Sequence, residues 1–138
     1  MPLTRVALLG RPLAGTEPPP EYTEAAAGLT RVLAEQGIRL AEPGETADGF
    51  VALPGYSATL KLLFATCLDS PGPGVKDTPC GLLNTADFFS RLLPGLDDEA
   101  MERFAREAQR GRLVMDRDPA ALVQAMAGYL PPETRRTA

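Results

Sequence analysis

The sequence contains no histidine. That excludes Ser-His and Cys-His nucleophilic systems and most zinc sites, because both rest on an imidazole. Any catalysis must run on carboxylates, Arg, Lys, Tyr, Ser or backbone amides. Cysteine is scarce. Cys67 and Cys80 stand thirteen positions apart in no metal-binding or redox motif, and they read as buried structural thiols. No run approaches the ~18 apolar residues of a membrane span. The opening MPLTRVALLG has neither the apolar length nor the cleavage site of a signal peptide. A cytoplasmic location is the expectation. Net charge is -4, which argues against nucleic acid or an anionic membrane as a partner. No metal and no cofactor is expected.

What is present is an ordinary globular composition. The chain has 138 residues, 44% of them hydrophobic, enough for one domain with a real core. Residues 1–131 read as that domain, and 132–138, with the basic ETRRTA, as a flexible tail. Prolines and glycines fall between periodic segments and act as punctuation.

Short apolar runs alternate with helical patterns. RVALLG (5–10) reads as a buried strand. Residues 21–36 repeat apolar side chains at helical spacing and stop at Gly37. IRLA (38–41) reads as a short second strand, and EPGETAD (42–48) as a turn-rich connector. GFVALPG (49–55) is the clearest buried strand. A helix over 58–68, a loop over 69–79, a strand over 80–84 and a helix over 86–93 follow. Phe88, Phe89 and Tyr22 pack on apolar helix faces. Asp97, Asp98 and Glu99 open a further helix, where acids suit the positive end of the dipole. That helix is expected to bury Met101, Phe104, Ala105 and Ala108 and to stop at Gly111. RLVMD (112–116) is a last strand. Asp118 then caps a helix with Pro119 at its first position and Leu122, Ala125, Met126 and Tyr129 on its apolar face.

This alternation predicts an α/β protein with a parallel sheet of four or five strands covered on both faces. In such a sheet ligands bind outside the carboxyl ends of the strands, where loops 10–16, 54–59 and 84–87 should meet. ALPGYSATLKLL (52–63) has the frame of a strand–turn–helix phosphate site. Two readings of the turn stand side by side. Either the amides of 57–59 and Thr59 hold an anion, or Ser57 merely caps the helix. On the first reading the phosphate-binding set is Gly10, Arg11, Gly55, Ser57, Ala58 and Thr59. Arg11 as a solvated surface residue is the alternative. Tyr56 either fills the space a phosphate would take or stacks on a base, since tyrosine does not permit the close approach that glycine does. Lys61 reads as an exposed helix lysine. Asp48 and Asn84 finish strand ends by bonding nearby backbone, and Asp116 and Asp118 fit a cap better than a metal pair. No residue is assigned a catalytic role.

DGFVALPGYSATLKLL, followed by KDTPCGLLNTADFFSRLL, resembles the LOG family of cytokinin riboside 5'-monophosphate phosphoribohydrolases, often labelled lysine-decarboxylase-like. The family's hallmark is A-L-P-G-G-x-G-T-x-x-E, then a K-P-x-G-L-L-N strand. VALLG and PPPEYTEAAAGLTRVLAEQGIRL are similar to its opening strand and helix. The resemblance implies a Rossmann-like three-layer α/β/α fold and a dimer packed through the helix after the P-G-G turn. It also implies nucleotide binding and N-glycosidic bond hydrolysis. Pro54, Gly55 and Thr59 match the motif. Tyr56 and Ala58 stand where it has glycine, and its catalytic glutamate falls on Leu62. Leucine neither moves a proton nor stabilises an oxocarbenium-like transition state.

The resemblance also exposes a gap. Family members carry a glycine-rich phosphate loop, an edge strand and a helix bearing a catalytic arginine between the second strand and the P-G-G strand. Here residues 42–48 connect directly and span at most roughly 25 Å. Either the second strand is very short or the 41–49 crossover lies tight on the sheet, and one sheet face should be poorly covered, favouring dimerisation. Three functions remain open. The chain is a degenerate, catalytically inactive LOG-like protein (a pseudoenzyme) with at most nucleotide or phosphate binding. Or it is an active phosphoribohydrolase completed by a partner chain, in a homodimer or with a full-length relative. Or it is a protein-interaction module whose old crevice is filled.

Overall fold

The computed structural model describes residues 3–10, 19–42, 44–69 and 77–129. Five parallel strands form one sheet in the order β2-β1-β3-β4-β5. They are β1 (Arg5–Leu9), β2 (Arg39–Leu40), β3 (Gly49–Ala52), β4 (Cys80–Leu83) and β5 (Leu113–Asp116). The helices are α1 (Pro20–Glu35), α2 (Ala58–Leu63), α3 (Phe88–Leu92), α4 (Asp98–Gln109) and α5 (Pro119–Ala127). Successive strand residues point to opposite faces, so Val51 enters one core while Phe50 and Ala52 enter the other. The first core joins Val6, Val51 and Leu83 to Leu29 and Leu33 of α1 and Leu122 and Met126 of α5. The second joins Phe50, Ala52 and Leu82 to Leu60, Leu63, Phe89 and Phe104. This is the expected Rossmann-like three-layer fold. No helix among the described residues is long and apolar enough to cross a membrane.

The short crossover resolves through a two-residue β2. Arg5 pairs with Arg39 and Val6 with Leu40 on one side of β1, while β3 pairs along the other. Glu45 holds the return. Its carboxylate accepts from the Glu42 amide at 2.7 Å and from both terminal nitrogens of Arg39, and it pairs with Arg5 at 3.5 Å. Asp48 finishes a strand end by bonding backbone, as expected, and the backbone it bonds belongs to the neighbouring strand. It accepts the Thr4 and Arg5 amides at 3.0 and 3.1 Å and so ties the start of β3 to β1. The poorly covered sheet face that was expected does not occur as a whole, because each face carries a core. The thinning is local: Ala7, Leu9 and Ala41 are only half-buried.

Several sequence expectations need correction. The helix over 58–68 is α-helical only to Leu63 and then widens into a π turn over Phe64–Leu68. The helix over 86–93 is broken at its start, where Ala86 and Asp87 adopt φ of 52° and 59°, and α3 begins at Phe88. On α4 only Phe104 is buried. Met101, Ala105 and Ala108 are exposed, because the helix rests on the edge strand β5 and its outer flank has no neighbour among the described residues. On α5 Val123 is buried where Ala125 was expected, and Ala125 is exposed. The caps are as read: Asp97 accepts the Ala100 amide and Asp118 the Ala121 amide, with Pro119 at the first turn.

Candidate functional site

The carboxyl ends of β1 and β3 bring Gly10 against the turn that leads into α2. Leu53 donates its amide to Leu9 O at 2.9 Å, which locks the two strand ends together. Gly10 has φ of +84°, and a Cβ built there would lie 2.3 Å from Thr59 Oγ1. Only glycine lets the backbone pass this close. Thr59 itself is 2% exposed, and its hydroxyl has no hydrogen-bond partner among the described residues. A buried hydroxyl left unpaired is costly and calls for an explanation.

The amides of the turn are less available than the sequence reading supposed. Thr59 N donates to Tyr56 O at 3.1 Å and Leu60 N to Ser57 O at 3.2 Å. Thr59 therefore offers its hydroxyl rather than its amide. Ser57 is not a cap: its backbone is already helical and its side chain makes no capping bond. A capping side chain folds back from an extended residue, which Ser57 is not. Gly55 adopts φ of +130°, so the turn's one left-handed position falls on a glycine. Tyr56 keeps a negative φ and is half-buried, so the frame tolerates tyrosine without backbone strain. Of the six residues expected to hold a phosphate, Gly10, Gly55, Ser57, Ala58 and Thr59 are brought together. Arg11 lies outside the described residues, as do the tail 132–138 and loop positions 11–16.

Nothing in the turn or the helical segment after it supplies a carboxylate. Residues 55–68 contain no acid. Leu62 is 44% exposed and Lys61 is exposed, both on the solvent side of α2. A cleft of about 510 Å³ opens between α2 and α4, with Lys61 in its lining. Leu60, Phe64 and Leu96 form its apolar wall and Lys61, Asp69 and Arg103 its charged rim, with Arg103 paired to Asp69. Sequence reading missed this cleft because its walls come from elements far apart in the chain.

At the same end of the sheet, β4 runs into Asn84. Its side-chain oxygen accepts the Phe89 and Ser90 amides at 2.9 and 3.2 Å, so this residue does finish a strand end as expected. Thr85 Oγ1 is a second buried hydroxyl with no partner among the described residues. Asp87 receives Arg117 Nε at 3.0 Å, and Asp116 accepts the Asp118 amide. Tyr22 packs edge-on against Phe88 at 5.2 Å and accepts a bond from Arg91 at 3.2 Å.

The opposite end of the sheet holds a polar cluster that the sequence did not reveal. Cys67 and Cys80 are both buried and unoxidised, as expected of structural thiols. The influence of Cys80, reinforced by burial, pushes the Cys67 thiol up. The reciprocal influence of Cys67 holds Cys80 down against its own burial. Arg112 is 1% exposed. It donates to Cys67 O at 3.0 Å and pairs with Glu107 at 3.4 Å.

Comparison with known proteins follows this geometry. A family model described as "Possible lysine decarboxylase" matches residues 8–126. A "Probable cytokinin riboside 5'-monophosphate phosphoribohydrolase" of Oryza sativa subsp. japonica is 31% identical over 126 residues, covering 88% of this chain and 50% of that protein. A cytokinin riboside 5'-monophosphate phosphoribohydrolase of Arabidopsis thaliana is also 31% identical over 126 residues, covering 88% of this chain and 59% of that protein. The chain thus spans about half the length of these relatives.

Proposed function

The chain belongs to the LOG family, and from that premise we propose that it is a member without the family's hydrolytic activity that binds a phosphate group, such as that of a nucleoside monophosphate, at residues 54–59. One observation carries the reading. Thr59 keeps a buried hydroxyl with no partner among the described residues, against Gly10 and at the carboxyl end of the strands, where ligands of this architecture bind. A phosphate oxygen is a strong acceptor and satisfies such a donor. The loss of hydrolysis rests on Leu62, a side chain with no proton to exchange, and on a helical segment with no acid from 55 to 68.

Incubation with AMP, followed by chromatography of the products, tests the second half. The expected result is no free adenine above a buffer control, and base release abolished by Thr59→Val overturns it. Titration with AMP and with inorganic phosphate tests the first half. A ligand at a hundredfold excess over its Kd adds about 2.7 kcal/mol of stability, so binding shows as a rise in Tm that Thr59→Val removes.

A second reading has its own observation, the open cleft between α2 and α4, with Leu62 exposed on α2. On this reading a second copy or a full-length relative covers the cleft, and the partner supplies the missing acid to an active phosphoribohydrolase. Co-expression with such a relative separates the two. Activity confined to the mixed complex supports completion by a partner. An inactive complex with no ligand-induced rise in Tm leaves a pure interaction module.

A further inference from the structure

The cleft between α2 and α4 contains groups that the proposed phosphate site does not use. Thr59, the donor of that site, is not in its lining. One wall is Leu60 and Phe64, which share a helix face at a spacing of four and are buried. Leu92, Leu96 and Ala100 form the opposite wall and are half-buried. The volume of about 510 Å³ falls inside the roughly 300–1,000 Å³ of small-molecule sites. Most charges around the cleft are already engaged. Arg103 is paired with Asp69 and, at 3.4 Å, with Glu99. The Asp97 carboxylate accepts the Ala100 amide at 2.8 Å. The Lys61 ammonium has no ion pair with any described residue. Ser57 stands one turn before it on the same side of the helix, with a hydroxyl that makes no capping bond. The cleft thus joins an apolar trough to one uncommitted cation and a hydroxyl donor.

We propose that this cleft binds a small amphipathic carboxylate, whose apolar chain lies along Leu60, Phe64, Leu92 and Leu96 and whose head meets Lys61 and Ser57. Burial of the chain supplies the affinity, and each methylene taken from water is worth up to about fourfold. The head supplies the selection. Lys61 and Ser57 donate hydrogen bonds to a carboxylate. An amine of the same length meets the Lys61 charge with its own, and the acids around it are held by Arg103 and by the Ala100 amide. The size of the cleft favours this occupant over a second copy of the chain. Its lining is twelve residues, against the roughly 20–30 that a stable protein interface takes from each side.

Calorimetric titration of the intact chain with hexanoate, octanoate and decanoate, each below its micelle-forming concentration, tests the proposal. The expected result is one saturable site whose affinity rises about two- to fourfold per methylene. Decylamine should bind more weakly than decanoate. Lys61→Gln should weaken decanoate about two- to fivefold and leave decanol unchanged. Ala100→Leu, verified as folded by circular dichroism, fills the cleft and should weaken acid and alcohol alike. Inorganic phosphate should not displace decanoate, so the phosphate reading and this one stand or fall separately. Four results overturn the proposal. One is no saturable binding, and another is an affinity indifferent to chain length. The third is decylamine binding as tightly as decanoate, or a decanoate affinity that Lys61→Gln leaves unchanged. The fourth is displacement by phosphate, which would put the head in the turn rather than the cleft. The wild-type series decides the matter even where a variant fails to fold.

Discussion

The two ends of the sheet are built differently. At the amino end charged side chains tie separate segments together. Asp48 collects the Thr4 and Arg5 amides, Glu45 gathers Arg39, Arg5 and the Glu42 amide, and buried Arg112 bonds Glu107 and Cys67 O. At the carboxyl end Thr59 and Thr85 keep buried hydroxyls without partners among the described residues. Ala86 and Asp87 occupy the left-handed region there, and the Gly10 backbone presses on Thr59. A protein domain tolerates unpaired donors and backbone strain at only a few positions, and those positions cluster where ligands bind. The contrast puts the unpaired hydroxyls and the left-handed backbone at the carboxyl end, the end at which the phosphate site is proposed.

Breaking the well-paired end should have the largest effect. Arg112→Met removes one partner of a buried ion pair and the donor to Cys67 O. Breaking such pairs costs about 3–5 kcal/mol. Glu107 remains held by Arg110 at 2.9 Å, so the loss belongs near the lower figure. Urea denaturation of the two chains measures it. A loss below 1 kcal/mol would mean that the amino end does not depend on this residue.

The next effect lies across the sheet. Gly10→Ala forces a left-handed alanine and a methyl group into the Thr59 hydroxyl, and should cost about 2–3 kcal/mol. Thr59→Ala in the same chain vacates that space and should restore part of the loss, because the two positions share one contact. Strictly additive double-mutant stabilities would show that Gly10 and Thr59 do not form one unit.

Thr59→Val sharpens the contrast by separating stability from binding. Replacing a buried, unpaired hydroxyl with a methyl group of similar shape should raise stability by about 1 kcal/mol. The same change should remove the rise in Tm produced by phosphate or AMP. A variant both less stable and equally responsive to ligand would mean that the hydroxyl serves packing alone.

Much of the frame was legible in the order of residues. Buried runs such as GFVA and CGLL have no polar interruption and become central strands, and Asp97 and Asp118 announce their helices through local caps. The departures arise where distant neighbours decide. Met101, Ala105 and Ala108 have the spacing of a buried stripe, yet α4 lies over an edge strand and that flank is open. Ser57 has the chemistry of a cap, but the turn had already entered the helix by that residue. Thr59 looks like any threonine until Gly10 closes over it. Nothing at Ala86 signals a left-handed backbone, since the usual sign is glycine.

That silent position gives a smaller effect at the strained end. Left-handed backbone costs a non-glycine residue about 1 kcal/mol or more. Glycine's freedom in the unfolded chain offsets part of any relief. Ala86→Gly should therefore raise stability by about 0.5–1 kcal/mol, read as an increase in urea midpoint at unchanged slope. A decrease would assign the 85–87 turn a packing role for the alanine methyl.

The smallest effect is at the paired end and depends on pH. The Glu42 amide, then Arg39, hold the Glu45 carboxyl below its usual carboxylate range. A group whose folded pKa is depressed binds its proton more readily in the unfolded chain. Its contribution is complete above the unfolded value of about 4.3 and is lost as pH falls through the lower folded value. Wild-type stability should therefore decline more steeply than that of Glu45→Gln below about pH 4.3, and the two profiles should run parallel above about pH 6. Added salt should weaken only the part owed to Arg39 and Arg5, because the amide bond carries no net charge to screen. Identical profiles through the acid range would mean that the short crossover is held by its backbone and by Asp48, and that Glu45 merely lies nearby.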